Sequence, residues 1–334
     1  MKRLILPFLA LLSLSAVVAC GGDDAETLTI YSGRSESLVQ PILDQFEEES
    51  GVKVSVRYGD TAELAATILE EGGNSPADVF FAQDAGALGA LAESDLLKAL
   101  PSTILELAPT AYRSRADFWI GISGRARVVA YNTDVLSPDD LPDSILDFTD
   151  PEWKGRIGWA PQNGSFQAFV TGLRALEGEA SAREWLEGIA ANDPTEYPNN
   201  TTSVEGVANG EVDVAFVNHY YLFRFLEEEG EGFEARNYYT GPGDAGSLVN
   251  IAGAGILETT NSNDLAEQFL EYMLGTEAQQ YFADETFEYP VIAGITIHED
   301  LVPLSEIQPP DIDLSDLSDL NGTLDLLRET GALP

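Results

Sequence analysis

Short apolar strands alternate with amphipathic helices from residue 28 onward, and this alternation restricts the chain to few folds. The predicted order is strand 28–31, helix 36–50, strand 52–56, helix 62–71 and strand 77–81. Gly51 is the stop signal of the first helix. Strands that are separated by helices form crossover units, so the pattern predicts an α/β fold with a parallel sheet.

A second α/β pattern begins near residue 127. Further strands are predicted at 118–122, 127–131, 157–159, 212–217 and 246–252. Further helices are predicted at 165–176, 180–190, 264–274, 276–282 and 321–329. Two α/β lobes predict a cleft between them, and in open parallel sheets ligands lie beyond the carboxyl ends of the strands.

The N-terminal residues have the pattern of a secretion leader. Lys2 and Arg3 precede an apolar run over 4–18, which is too short to span a bilayer and ends near Cys20, the only cysteine of the chain. We predict a lipoprotein signal peptide at 1–20, a tether at 21–27 and a lipid on Cys20. The protein would then be extracytoplasmic and lipid-anchored to a membrane. An ordinary signal peptide with a chance cysteine is the alternative.

The chain is strongly acidic, with 57 Asp and Glu against 17 Lys and Arg and a formal net charge of −40. Nucleic acid binding depends on basic side chains that neutralise phosphates, so this composition excludes nucleic acid as a partner. A surface of this sign attracts cations at low salt.

Two adjacent tyrosines, Tyr220 and Tyr221, lie where the strand at 212–217 is predicted to turn into a helix. At such a corner two neighbouring side chains can converge on one point. Converging phenols suit a hard cation such as Fe3+, because a bound metal drives off the phenolic proton. The alternative is that both rings fill the core beneath the helix. Polar residues also follow other predicted strands, namely Tyr31, Gln83 and Asn163.

Several short motifs occur in a characteristic order along the chain. They are Tyr31-Ser-Gly-Arg, 75–81 (SPADVFF), 123–132 (SGRARVVAYN), 151–158 (PEWKGRIG), Asn218-His-Tyr-Tyr and Glu288-Tyr-Pro. The ordered set resembles the bacterial ferric-ion-binding proteins, the extracytoplasmic substrate-binding components of iron(III) ABC importers. The resemblance covers the chain from Leu28 onward.

This resemblance implies a two-lobed periplasmic-binding-protein fold of the class II type that closes on its ligand. Two crossing hinge strands at about 123–132 and 246–256 would join the lobes. The first lobe would comprise 28–124 plus 250–298, and the second 125–249 plus 299–334.

The resemblance also implies a site. Tyr220 and Tyr221 match the paired iron-ligating tyrosines. A synergistic anion would bind at the start of a helix and to nearby polar side chains: Asn163, Gly164, Ser165, Asn200, Asn218 and Arg127. A surface ion pair is an alternative role for Arg127. Arg125 would belong to the hinge or outer shell.

Two positions depart from the family pattern. Some members supply a histidine and a glutamate as iron ligands where this chain has Ser35 and Gln83, which are poorer ligands for Fe3+. These residues are therefore expected in the outer shell. Further ligands would have to come from other side chains, with Tyr31 and Asp84 as the main candidates and Tyr58, Asp60 and Glu63 as others.

We therefore expect a binding protein and not an enzyme. It would capture Fe3+ as cargo with carbonate or phosphate and deliver it, as a monomer, to the permease and ATPase of an ABC importer. The main alternative is the same fold binding a small oxyanion or an organic solute such as a phosphonate without iron. A secreted hydrolase is a third hypothesis, but no nucleophile–base set stands out.

Overall fold

The computed structural model describes residues 27–334. The predicted leader, Cys20 and the tether up to residue 26 lie outside this range. The strands are β1 (Thr27–Ser32), β2 (Lys53–Tyr58), β3 (Val79–Ala82), β4 (Ile120–Asn132), β5 (Ile157–Trp159), β6 (Thr195–Glu196), β7 (Val214–Asn218), β8 (Ala235–Tyr238), β9 (Val249–Ile256) and β10 (Tyr289–Pro290). Within 27–334, no helix combines the length and apolarity needed to cross a membrane.

The helices that cover these strands are mostly amphipathic. They are α1 (Glu36–Ser50), α2 (Thr61–Glu71), α3 (Ala85–Glu93), α4 (Ser102–Leu105), α5 (Gly164–Glu177), α6 (Glu179–Ala191), α7 (Asn200–Ala208), α8 (Tyr220–Glu229), α9 (Asn263–Met273), α10 (Thr276–Glu285), α11 (Leu304–Ile307) and α12 (Leu320–Glu329). Gly51 ends α1 in the left-handed conformation with φ 73°, as glycine can at a helix C-terminus. The predicted helix stop is confirmed.

The strands form a continuous sheet in the order β2-β1-β3-β9-β4-β7-β5-β6, with β8 and β10 also paired to β4. The pairs β1–β2 and β1–β3 are parallel, whereas β9 pairs antiparallel with both β3 and β4. The sheet is therefore mixed rather than wholly parallel. The expected α/β fold is confirmed.

Strand β4 connects the two lobes. Its first half pairs with β9, and its second half pairs with β7 and β8. The two separate strands predicted at 118–122 and 127–131 are thus one strand. The polar residues between them interrupt the apolar pattern, but their backbone groups pair with β9 and β10, which keeps the chain extended.

The predicted strand at 246–252 begins later than expected. A 3-10 turn at Ala245–Ser247 precedes β9, because the Asp244 side chain accepts a hydrogen bond from the Gly246 N–H and caps the turn. Strand β9 then runs to Ile256 in the sheet of the first lobe.

Each lobe has its own apolar core. Strands β1 and β3 and helices α1, α9 and α10 enclose the first core, with Phe46 and Phe269 in edge contact at 5.4 Å. In the second core, Phe216 of β7 contacts Phe148 at 5.5 Å and Trp185 at 5.4 Å. Helices cover both faces of the second sheet, so alternate residues of β4 enter different apolar clusters.

The chain after residue 298 packs on both lobes, whereas the resemblance implied the second lobe alone. Its apolar side chains enter the first core through Leu301, Ile307, Leu314 and Leu317, and the second core through Leu326, Leu327 and Ala332. Arg115 pairs with Asp313 at 2.7 Å, and Arg174 of α5 pairs with Asp319 at 2.8 Å. This segment therefore runs from one lobe to the other.

Candidate metal centre

The tyrosine pair lies at the corner between β7 and α8. All five residues of β7 are buried, and α8 begins at Tyr220 after a single intervening residue, so the predicted strand-to-helix corner is confirmed. The two rings stack with centroids 4.3 Å apart. The phenols therefore converge, as a shared cation would require.

The environment of Tyr221 favours its neutral phenol when no cation is present. Tyr220 is buried and Tyr221 is partly exposed. Burial, followed by the neighbouring Tyr220 phenol, raises the pKa of Tyr221 well above its ordinary value, while Arg125 and Arg34 oppose the shift. A ligand that binds the phenolate form must therefore displace a firmly held proton.

His219, next to the pair, is fully engaged in structural hydrogen bonds. Its Nδ1 accepts from the Ala126 N–H at 3.1 Å, and its Nε2 lies 2.7 Å from the carbonyl oxygen of Phe287, to which it donates in this tautomer. Burial lowers the pKa of His219 to about 4. The imidazole is therefore neutral at pH 7, and both of its nitrogens are already occupied.

The predicted anion loop forms the start of α5. Asn163 is the N-cap of this helix, and its Oδ1 accepts from the Ser165 N–H at 3.1 Å and from the Ser165 hydroxyl at 2.5 Å. A Cβ added at Gly164 would meet nothing within 4 Å, so the backbone there is open. Exposed N–H groups at a helix start favour an anion.

Asn200 joins this loop to the strand that leads to the tyrosines. Its Nδ2 donates to Asn163 Oδ1 and to Ser165 Oγ, both at 3.0 Å. Its Oδ1 accepts from the Asn218 N–H at 3.0 Å, and Asn218 Oδ1 accepts from Arg127 at 3.0 Å. The side chains predicted to hold an anion, from four separate segments, thus form one hydrogen-bonded network with the Gly164 backbone at its open end.

Two buried arginines of β4 lie at this network, and Arg127 is joined to it through Asn218. Arg125 and Arg127 are 2% and 4% exposed, and they line a small cavity together with Ser165 and Asn218. Within 27–334, Arg125 Nε, one terminal nitrogen of Arg125 and one of Arg127 are without a hydrogen-bond partner. Burial and the Arg125 charge lower the pKa of Arg127 to about 9. Buried guanidinium groups with free donors favour an oxyanion.

The candidate ligands of the first lobe face different surroundings. Gln83 and Asp84 line a cleft of about 620 Å³ that also includes Asn163 and Gly164 of the second lobe. Asp84 caps α3 by accepting from the Ala87 N–H at 3.1 Å, and burial raises its pKa. The cleft therefore brings Asp84 to the interlobe space, with one oxygen used in capping.

The remaining first-lobe candidates have other partners or positions. The Tyr31 hydroxyl donates to Glu71 at 3.0 Å and accepts from Arg57 at 3.2 Å. Tyr58 donates to the Gln40 side chain at 2.6 Å. Ser35 precedes α1 and is exposed. Tyr31 would have to give up two hydrogen bonds to bind a metal, whereas Asp60 and Glu63 already line the cleft.

Two buried residues near the tyrosines were not assigned a role from sequence. Arg34 and Glu288 form an ion pair with side-chain exposures of 1% and 0%. Both lie in motifs that carry the family resemblance, Tyr31-Ser-Gly-Arg34 and Glu288-Tyr-Pro290. These motifs were the sequence signal that could have indicated a role for them. Their contact joins residues 254 positions apart, which no local pattern indicates.

Comparisons with known proteins identify the family of this chain. Residues 42–301 match the family of bacterial extracellular solute-binding proteins. The chain is 33% identical over 324 residues to the major ferric iron-binding protein of Neisseria meningitidis serogroup B, covering 95% of this chain and 97% of that one. It is 34% identical over 329 residues to the Fe(3+)-binding periplasmic protein of Serratia marcescens, covering 97% of each.

A solved structure extends the comparison to the whole fold. The chain is similar to the crystal structure of iron-bound HitA from Pseudomonas aeruginosa, with a TM-score of 0.87, 36% identity and coverage of 92% of this chain and 99% of that one. The chain therefore belongs to the bacterial extracellular solute-binding proteins and, among them, to the family of ferric iron-binding proteins.

Proposed function

We propose that this protein captures ferric iron between its lobes, with the phenolates of Tyr220 and Tyr221 as ligands. The observation that carries the proposal is the stacked phenol pair, two residues along the chain from Asn218, which accepts from the buried Arg127 with its free donor. Iron has a hard trivalent charge that displaces phenolic protons, and the arginines offset the negative charge that its ligands bring. The ferric iron-binding relatives support the same cargo.

The synergistic anion would bind at the open start of α5. Two phenolates leave part of the iron coordination sphere to be filled. Carbonate or phosphate could accept hydrogen bonds from the Gly164 backbone, from Ser165 and from the amide network of Asn163, Asn200 and Asn218, with Arg127 behind them. Of the first-lobe side chains, Asp84 is the better placed further ligand, since the Tyr31 hydroxyl is held by Glu71 and Arg57.

The protein would act outside the cytoplasm and pass its cargo to an ABC importer. Membership of the extracellular solute-binding family supports this location and this route. We propose that a lipid on Cys20 holds a monomer at the membrane, where the permease and its ATPase receive the iron. A binding role without enzymatic activity is consistent with the names of the relatives.

Colour provides the direct test of iron binding. Phenolate coordination to Fe3+ produces a visible charge-transfer band, so the metal-free protein should become coloured when ferric nitrilotriacetate and bicarbonate are added. Tyr220→Phe and Tyr221→Phe should each weaken iron binding sharply while the rings stay packed, and Tyr58→Phe is a matched control. If both site variants bind iron as the parent does, the rings only fill the core.

Anion dependence tests the second part of the site. The surface is acidic, so an anion binds well only together with the cation that offsets this repulsion. Iron retention should therefore fall in carbonate-, phosphate- and citrate-free buffer and recover when one of these anions is added. Full retention without any anion would show that side chains complete the coordination sphere.

Binding of an anion without iron is the alternative function. The free guanidinium donors of Arg125 and Arg127 favour it, because they need an anion whether or not a metal is present. Calorimetry of the metal-free protein with phosphate or methylphosphonate separates the two functions. Tight binding there, with no colour on addition of iron, would favour the anion as the cargo.

A further inference from the structure

The C-terminal segment is fastened to the first lobe over residues 313–318. Arg115, in the loop before β4, donates to Asp313 at 2.7 Å and to Asp316 at 2.8 Å. Its backbone N–H also donates to Ser315 Oγ at 3.0 Å. These contacts hold a 3-10 turn whose two leucines are buried in the first core. This part of the segment therefore moves with the first lobe.

Helix α3 of the first lobe receives this turn on two glycines. A Cβ built at Gly86 would lie 2.7 Å from the carbonyl oxygen of Leu317, and one built at Gly89 would lie 2.8 Å from Ser318 Cβ. Positions three apart share one face of a helix. Glycine is less favourable than alanine inside a helix, but here it lets the backbone of the segment lie directly on α3.

The next residues are fastened to the second lobe. The Arg174 guanidinium of α5 donates to Asp319 Oδ2 at 2.8 Å and to the Asp319 carbonyl oxygen at 3.1 Å. It also donates to the Thr323 hydroxyl at 3.0 Å. The buried hydroxyls of Thr171 and Thr323 bond to each other at 2.7 Å, and two leucines of α12 enter the second core. This part therefore moves with the second lobe.

The two anchors are adjacent in the chain. Ser318 lies against α3, and Asp319, the next residue, is bonded to α5. One residue spans at most about 3.6 Å, so α3 and α5 cannot move apart here unless one anchor breaks. Both helices begin at the interlobe cleft, and Leu317 itself lines that cleft. The segment is thus a third connection between the lobes, besides β4 and β9, and it has no slack.

This third connection crosses next to the hinge. A Cβ at Gly172 of α5 would meet Leu248, which precedes β9, at 2.4 Å and Leu317 at 3.6 Å. A link at the hinge lets the lobes rotate about it, but it opposes the separation and twisting that two strands alone would allow. Fewer widely open molecules mean a larger fraction competent to close, and apparent affinity rises with that fraction.

We propose that residues 313–323 form a strap that limits how far the lobes open and keeps the metal-free protein near its closed form. The strap gives the fold a built-in control of cargo affinity. Its effect on iron affinity rests on the proposed iron binding. Its effect on lobe opening does not, because that is measured without metal.

Slack added to the strap tests the inference while both anchors are kept. Four glycines inserted between Ser318 and Asp319 lengthen the link by up to about 14 Å. The metal-free variant should have a larger radius of gyration in small-angle X-ray scattering than the parent. Its affinity for iron, added as ferric nitrilotriacetate with bicarbonate, should fall about threefold or more. The same insertion between Gly73 and Asn74, in an exposed turn of the first lobe, is the matched control and should change neither value.

A milder variant guards against misfolding of the insertion. Arg174→Met with Asp319→Asn removes the second-lobe anchor as a pair and should shift both readouts in the same direction. Arg183→Met with Glu329→Gln is its control, because that ion pair joins α6 and α12 within the second lobe. A parent-like radius of gyration in the folded insertion variant, or in the Arg174 variant if the insertion does not fold, would overturn the inference. So would an equal change in the controls. A parent that stays colourless with iron would refute iron binding itself, and the radius of gyration would still decide the strap.

Discussion

Iron binding should release protons, and the number released follows from the state of the tyrosine pair. Burial and the Tyr220 phenol hold the pKa of Tyr221 well above its ordinary value, so this phenol is protonated at pH 7. Free phenols titrate near pH ~10, so two phenolate ligands require the loss of about two protons per iron. Lower pH strengthens the competition from protons, so affinity must fall as the pH falls.

The expected pH dependence of the iron affinity is large enough to measure. Two protons correspond to about 100-fold in apparent affinity per pH unit, or roughly 2.7 kcal/mol, and to about 10⁴-fold between pH 8 and pH 6. Calorimetry in buffers of different ionisation enthalpy counts the protons, after correction for those taken up by nitrilotriacetate and released by bicarbonate. Tyr221→Phe should reduce the count by about one.

Tyr58 provides the control for the tyrosine pair. Tyr58→Phe removes a phenol that hydrogen-bonds to Gln40 in the first lobe, so it should leave the proton count unchanged. A parent protein that releases no protons when iron binds, or whose affinity is independent of pH between 6 and 8, would refute phenolate coordination. The same result in Tyr221→Phe as in the parent would exclude Tyr221 as a ligand.

Three other perturbations have defined outcomes. Burial lowers the pKa of His219 to about 4, whereas an unfolded histidine has a pKa of about 6.5. The free energy of unfolding therefore carries no penalty from His219 above pH 6.5, and it falls by up to about 3 kcal/mol as the pH falls toward 4. In urea unfolding, the His219→Gln variant should not show this fall in the free energy of unfolding, whereas His298→Gln should show it. Asn200→Ala leaves the Asn218 N–H unpaired and should cost about 1–3 kcal/mol while raising the bicarbonate needed for iron retention; unchanged anion dependence would contradict the network. Cys20→Ala should release the protein from membranes or block processing, and unchanged membrane fractionation would argue against the lipid.

The α/β character of the fold could be predicted because its signals are local. Apolar runs, amphipathic helices and a terminal glycine at Gly51 act within one or two turns of chain, and the structure has the elements where those signals lie. The residue pattern divided strand β4 into two strands for the opposite reason, although the resemblance implied a crossing strand at about 123–132. Its central residues, including Gly124 and Arg125, look like a loop, and only pairing with β9 and β10 keeps them extended.

The core of the candidate site was also predictable, since its parts lie at the ends of local elements. A tyrosine pair at a strand-to-helix corner and an asparagine at a helix start obey short-range rules, and the ordered motifs indicated their shared use. The hydrogen bonds that link Asn163, Asn200 and Asn218 then agree with that grouping.

Long-range contacts were beyond the reach of sequence patterns. The pairing of Arg34 with Glu288 and the commitment of the Tyr31 hydroxyl to Glu71 join segments that are far apart in the chain. So does the tail that Arg115 and Arg174 hold across both lobes. Local propensity depends on neighbours in the sequence. The charge around the tyrosines depends instead on the distances to other buried groups, and only the folded chain sets those distances.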